Sequence, residues 1–273
     1  MAKTIICLTT ASSTWCRKGF VMPHDERYQD VAKKTYNYHN LGVGVFPEGE
    51  EKTPHGSGER YNFDRMYMMA STYDFTHKNM VDLGCNSGWF CFQAKLLGSA
   101  YTLGIDCSEY GVMGGAIHYA QEFEARFKLG ANFLDFNLEN INMVALAQHV
   151  GIGQFDVSLV LSVLHHVENK KRLFESLYTA TEEIIFYEDH EFWNELYDER
   201  GNPIETKGNG YRFGWNEDMS WQRKIGSIEK YEPMILNSYS ESWRYDVLKM
   251  DKFRQVKFLG FSEKRRPFLA FFK

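Results

Sequence analysis

Along the middle of the chain, short apolar runs alternate with segments of helical period. "MVDLG" at 80–84 reads as a strand and "SGWFCFQAKLLG" at 87–98 as a helix. The same alternation follows with "AYTLGID" (strand) and "SEYGVMGGAIHYAQEFEARFKL" (helix), then "ANFLDF" (strand) and "LENINMVALAQHV" (helix). "FDVSLVLSVL" predicts a fourth strand, "KKRLFESLYTAT" a helix and "EEIIFYE" a fifth strand. Strands separated by helix-length segments imply βαβ units and a parallel sheet with helices on both faces. "FRQVKFLGF" and "PFLAFFK" follow each other too closely for a crossover helix, so they must pair antiparallel. Pro267 belongs at the start of the final strand, where no ladder donor is required.

Two regions fall outside this rhythm. Met1 to Phe75 is polar and aromatic, with "PHGSGER" as a loop, and is expected to be an N-terminal extension or lid packed on a core domain at 76–273. An insertion at about 190–243 follows the fifth strand and holds "NGYRFGWNEDMSW". Ile5 to Leu8 reads as a short strand or ordered tail, because the apolar centre is too short for a secretory signal.

Composition narrows the class. The 273 residues are 44% hydrophobic, enough for one large α/β domain with insertions. No apolar run approaches the ~20 residues of a spanning helix. The odd number of cysteines (Cys7, Cys16, Cys85, Cys91 and Cys107), with no CxxC spacing, suggests reduced thiols of a cytoplasmic protein. A net charge of −5 does not advertise a nucleic-acid binder, although bases gather after Lys249, as in "EKRRP".

The chemistry concentrates at strand ends. Gly84-Cys85-Asn86-Ser87-Gly88 leads the first strand into a helix, where a sheet of this kind binds its ligand. Gly84 and Gly88 permit a tight turn and close approach of backbone to a ligand, and Asn86 tolerates left-handed backbone better than other non-glycine residues. A dinucleotide loop needs G-x-G-x-x-G, but here the third place is Asn86 and the sixth Trp89. Asp82, Asp106 and Asp135 end three successive strands.

Five parallel strands with a terminal hairpin, and the run acid-x-Gly-x-Asn-x-Gly, resemble the class I S-adenosylmethionine (SAM)-dependent methyltransferases from about Met80 to Lys273. The resemblance implies a Rossmann-like α/β fold, a seven-stranded, mostly parallel sheet whose last strand is antiparallel. It also implies SAM as cofactor. By the same resemblance Asp82 orients the methionine amino group, Asp106 accepts the ribose hydroxyls, and Asp135 receives the adenine amino group with Phe136 covering the ring. Gly84, Cys85, Asn86, Gly88, Cys107 and Ser162 complete the expected cofactor contacts.

"SVLHHV" after the fourth strand lacks the Asn/Asp-Pro-Pro-Tyr/Phe turn that grips an exocyclic amine, and it resembles the branch acting on small molecules. His166, or else His165, is the candidate base, since histidine titrates near neutrality. Packing beneath the cofactor is the alternative role for both. No metal is expected, although His165, Glu188, Asp189 and His190 could converge at strand ends. Arg60, Arg65, Glu188, Tyr211, Arg212 and Trp215 are candidate acceptor contacts, with the glycine- and aromatic-rich insertion as a closing lid. "ERYNFDRMYMM" also looks somewhat like the approach helix of tRNA wobble-uridine carboxymethyl transferases, which keeps an RNA acceptor as a second reading. A catalytically silent binding subunit is a third. Methyl acceptor and oligomeric state are not legible.

Overall fold

The computed structural model describes residues 57–109, 116–188, 232–261 and 266–273. The expected strand at Ile5 to Leu8 and most of the two extra regions lie outside the described residues. Helix α1 (Ser57–Thr72) precedes β1 (Asn79–Leu83), α2 (Trp89–Leu96), β2 (Tyr101–Asp106) and α3 (Ala116–Phe127). Then come β3 (Asn132–Asp135), α4 (Met143–His149), β4 (Phe155–Leu161), α5 (Lys170–Ala180) and β5 (Thr181–Glu188). A short α6 (Glu232–Ser238) leads through a π turn at Ser242–Val247 to β6 (Gln255–Phe261) and β7 (Pro267–Phe272).

The seven strands lie in the order β3-β2-β1-β4-β5-β7-β6. β1 to β5 are mutually parallel, and β7 runs antiparallel to both β5 and β6. The expected hairpin is therefore present, with Pro267 opening β7 opposite Phe261. The order reverses between β1 and β4. The crevice outside the carboxyl ends of those two strands is where such a sheet receives a ligand.

Side chains alternate faces at period two. Val81 and Leu83, Ile185 and Tyr187, and Leu269 and Phe271 face one core layer, under α4 and α5. Met80, Val157 and Leu159, Ile184 and Phe186, and Phe268 and Ala270 face the other, which α1, α2 and α3 cover. By the same parity Asp82 and Glu188 point to the second layer. There α1 presents Asn62 and Arg65 at one end of its buried stripe and Met66 and Met69 at the other. The apolar end anchors the helix, at about 1.5–3 kcal/mol for each fully buried large side chain. The polar end is thereby brought to the strand ends.

Three boundaries differ from the sequence reading. The helix expected over 138–150 divides into a 3-10 turn at Leu138–Asn140 and α4. Asn137 caps the first piece, and Asn142 caps the second by accepting from the Val144 and Ala145 amides at 3.1 Å. β4 stops at Leu161, because Ser162 takes a left-handed φ of 54° and Leu164–His166 coil into a 3-10 turn. The helix α1 begins inside the stretch expected to be loop.

Gly88 caps α2 at φ 78°, and a Cβ there would stand 2.3 Å from the Phe133 ring. Gly151 has the same φ with nothing within 4 Å of its missing Cβ. Gly151→Ala is expected to cost only the backbone strain, about 1–3 kcal/mol, and Gly88→Ala measurably more. Urea unfolding of the two variants checks this, and equal losses would mean that Phe133 yields without cost.

Candidate active site

The loop after β1 is built from left-handed backbone. Gly84, Asn86 and Gly88 have φ of 71°, 51° and 78°. Asn86 thus adopts the conformation expected of it, and its Oδ1 accepts from the Ser87 amide at 2.8 Å. The two glycines serve packing as well as turning: a Cβ on Gly84 would meet Val163 at 2.5 Å, and one on Gly88 would meet Phe133 and Ala120. Side chains of neighbouring strands and helices fill the space that was expected to admit a ligand. Cys85 is fully buried, and a Cβ on Gly104 of β2 would lie 2.7 Å from its sulfur.

Asp106 fixes this loop. Its Oδ2 accepts from the Asn86 amide at 2.6 Å and its Oδ1 from the Cys107 amide at 2.7 Å. Each carboxylate oxygen has two acceptor sites, so one on each remains for a ligand hydroxyl. Burial pushes its carboxyl above the usual range against the pull of the two amides, and Asp135 adds to the rise. Asp135 accepts from the Ser108 amide at 2.9 Å, and that bonding holds its carboxyl low. Beside it Phe136 is exposed and its amide donates to the Asp106 carbonyl.

Asp82 differs from both. It is 2% exposed, and its Oδ2 has no hydrogen-bond partner among the described residues. Burial raises its carboxyl well above the ordinary range, the Asp106 charge adds to that, and Arg65 opposes it. A buried carboxylate oxygen left without a donor is costly. A ligand bearing an ammonium supplies what is missing.

On the β4 and β5 side, the structure joins residues far apart in sequence. Arg65 grips Glu188 with two bonds, Nε to Oε1 at 3.0 Å and Nη2 to Oε2. The Ser162 hydroxyl donates to the same Oε2 and accepts from Arg266 Nη1 at 2.6 Å. Of the expected cofactor contacts, Ser162 therefore faces Glu188 and Arg266, while Cys107 offers its backbone to Asp106. The His165 and His166 rings lie with centroids 3.8 Å apart and their planes tilted by 41°. His166 is exposed at its edge, yet surrounding protein desolvates it enough to lower its pKa; Asp106 opposes the shift and Arg266 adds to it. A pKa below the ordinary histidine value favours the neutral imidazole, the form that accepts a proton.

Arg60 lies in α1, with its side chain outside the described residues, as are Tyr211, Arg212 and Trp215. Asp189 and His190 are also outside, and among the described residues no three His, Cys, Asp or Glu gather as a metal site. Cys85, Cys91 and Cys107 are free, buried thiols. No helix among the described residues is long and apolar enough to cross a membrane. Sequence reasoning missed Arg266 as a site residue. Read only as one of the bases in "EKRRP", it carried a usable signal: a residue before proline is held extended. There it directly precedes β7, the strand beside β5.

The chain is similar to a SAM-dependent methyltransferase from Mesorhizobium loti, at 19% identity over 76% of this chain and 96% of that one, with a TM-score of 0.44. It is also similar to magnesium protoporphyrin IX methyltransferase from Synechocystis PCC 6803, at 11% identity over 78% of each chain and a TM-score of 0.41. No residue role or acceptor follows from likenesses at this level. No curated protein matches the sequence. A family profile described as a methyltransferase domain matches residues 74–218, more than half of the 273. The chain belongs to that methyltransferase-domain family, with the class I Rossmann-like fold and S-adenosylmethionine as its cofactor.

Proposed function

We propose that the chain transfers a methyl group from SAM to a small-molecule acceptor. The observation carrying this reading is the row of carboxylates at the ends of β1, β2 and β3, above all Asp82 with its unpartnered buried oxygen. When bound, SAM supplies a methyl group on a sulfonium, open to in-line attack by a nucleophile. Asp82 takes the amino group, Asp106 the two ribose hydroxyls through its spare acceptor sites, and Asp135 the adenine amino group. Left-handed Asn86 keeps the loop closed against Asp106.

The acceptor approaches over β4 and β5, where Arg65, Glu188 and Ser162 are locked together and His166 stands neutral. A base held neutral at working pH suits removal of a proton from a hydroxyl as the methyl group arrives. The 3-10 turn that carries His166 also packs Val163 against Gly84. Its position is therefore tied to the cofactor loop.

A small acceptor is favoured over RNA by the way three of the C-terminal bases are used. Lys273 Nζ donates to the Tyr178 and Thr181 carbonyls at 2.8 and 2.7 Å, and Lys249 lies 3.9 Å from Glu175. Arg266 is 8% exposed and turned inward. Phosphate binding draws on free basic surface, and these three bases are already engaged or recessed.

Calorimetric titration is expected to show binding of S-adenosylhomocysteine and none of NAD; the reverse would end this reading. Asp106→Ala is expected to weaken S-adenosylhomocysteine about tenfold or more, the loss of hydrogen bonds to a charged acceptor. Asp106→Asn, which keeps one oxygen, should lose less. Unchanged affinity in both would place the ribose elsewhere.

Asp82 gives binding a pH dependence. A raised folded pKa means that the ligand-free fold holds a proton the unfolded chain releases, a stabilisation that is lost as pH rises through the folded value. A bound ammonium favours the ionised carboxylate and so expels that proton. Affinity should therefore strengthen as pH rises toward neutrality, and calorimetry in buffers of different ionisation enthalpy should report proton release. Asp82→Asn is expected to lose that release. The same release in native and variant proteins would detach Asp82 from the ammonium.

A further inference from the structure

Glu188 is the one acid among the described residues that touches both arginines of the acceptor side. Its Oε1 accepts from Arg65 Nε, and its Oε2 accepts from Arg65 Nη2 and from the Ser162 hydroxyl. With those bonds the carboxylate is largely used. Arg266 Nη1 reaches no closer than 3.9 Å to Oε2 and is bonded instead to the neutral Ser162 oxygen at 2.6 Å. Arg65 has a second acid within electrostatic reach, Asp82. Arg266 has none at bonding distance among the described residues.

The Arg266 side chain is 9% exposed, and its Nε is buried without a hydrogen-bond partner among the described residues. A guanidinium has five N–H donors in a planar fork, suited to the two oxygens of a carboxylate or phosphate. Leaving such a group half-satisfied in a desolvated place is costly, and a bound anion relieves the cost. The position also fits an acceptor. Ser162 directly follows β4, the strand that pairs with β1, so the bond to Ser162 brings the Arg266 guanidinium to the end of the strand next to the one that carries Asp82.

We propose that Arg266 is the anchor of an anion subsite, so that the methyl acceptor is a small molecule bearing a carboxylate or a phosphate. This deepens the methyltransferase reading and rests on it. The recess argues for the small size: one sheltered fork admits a terminal anionic group, whereas a nucleic-acid backbone needs bases spread over an open surface. Arg65 and Glu188 hold Ser162, and Ser162 in turn aims Arg266. The anion's charge then sits beside His166, partly cancelling the Arg266 field that depresses the imidazole. Acceptor binding thereby makes His166 more basic as the proton needs removing.

The test is nuclear magnetic resonance on the full chain saturated with S-adenosylhomocysteine, titrated separately with inorganic phosphate and with acetate at constant ionic strength. The Arg266 Nε–H resonance is expected to shift saturably with one of the two, and the His166 midpoint to rise with it. His166 faces Asp106, Arg266 and the His165 ring, and only Arg266 is expected to change partner. A response to phosphate assigns a phosphate-bearing acceptor, and a response to acetate a carboxylate-bearing one. Arg266→Gln is expected to weaken the ion about tenfold, and Arg266→Lys, which keeps the charge but not the fork, by less. No shift of the native Nε–H with either ion overturns the proposal, as does an equal His166 response in native and Arg266→Gln proteins. Failure of S-adenosylhomocysteine to bind the native chain would remove the methyltransferase reading itself, and the subsite with it. An anion response without that failure, lost on substitution, supports the subsite alone.

Discussion

The bidentate pair between Arg65 and Glu188 joins residues 123 positions apart, and both side chains are almost wholly buried. Such a pair gives little net stability over an apolar replacement of the same shape, because desolvating two charges offsets their attraction. What it gives is position. Removing either partner leaves a buried charge alone, at a cost of about 3–5 kcal/mol. The helix α1, the end of β5, the turn after β4 and the start of β7 are therefore held to one arrangement. Asp82 feels the same guanidinium, so the end of β1 and the ends of β4 and β5 share one electrostatic centre.

The fold was legible because it is written in local terms. Apolar runs at period two, a left-handed-tolerant Asn86 between two glycines, and a terminal pair too close for a crossover are each a short-range signal. The three strand-end acids could be found for the same reason, since a strand end is visible in the sequence. What was illegible was long-range. Nothing near Ser162 says that its hydroxyl meets Glu188 and Arg266, and nothing near Arg65 says that it turns toward the sheet rather than toward solvent. The split of the segment 138–150 was missed for a local reason: the caps Asn137 and Asn142 compete with an apolar periodicity that runs unbroken across them.

The glycines correct a familiar inference. Gly84 and Gly88 have the positive φ expected of a ligand loop, but the volume of their missing side chains belongs to Val163 and Phe133. Closeness to neighbouring protein, as much as to a ligand, selects glycine there. Val163 leads directly into the turn that carries both histidines, so one contact couples the loop after β1 to the turn after β4.

Strand order has a consequence for how the protein comes into being. β7 lies between β5 and β6, yet it is made after both. On the ribosome, β5 presents a bare row of amides and carbonyls while the whole of β6 and the segment before it emerge. Such an edge invites pairing with another nascent chain. When β7 arrives it closes that edge, and Arg266, the residue just ahead of it, reaches Ser162. The bond between Arg266 and Ser162 thus waits for β7, and a chain stalled before Pro267 would carry Arg65, Glu188 and Ser162 without the strand that holds Arg266 against them.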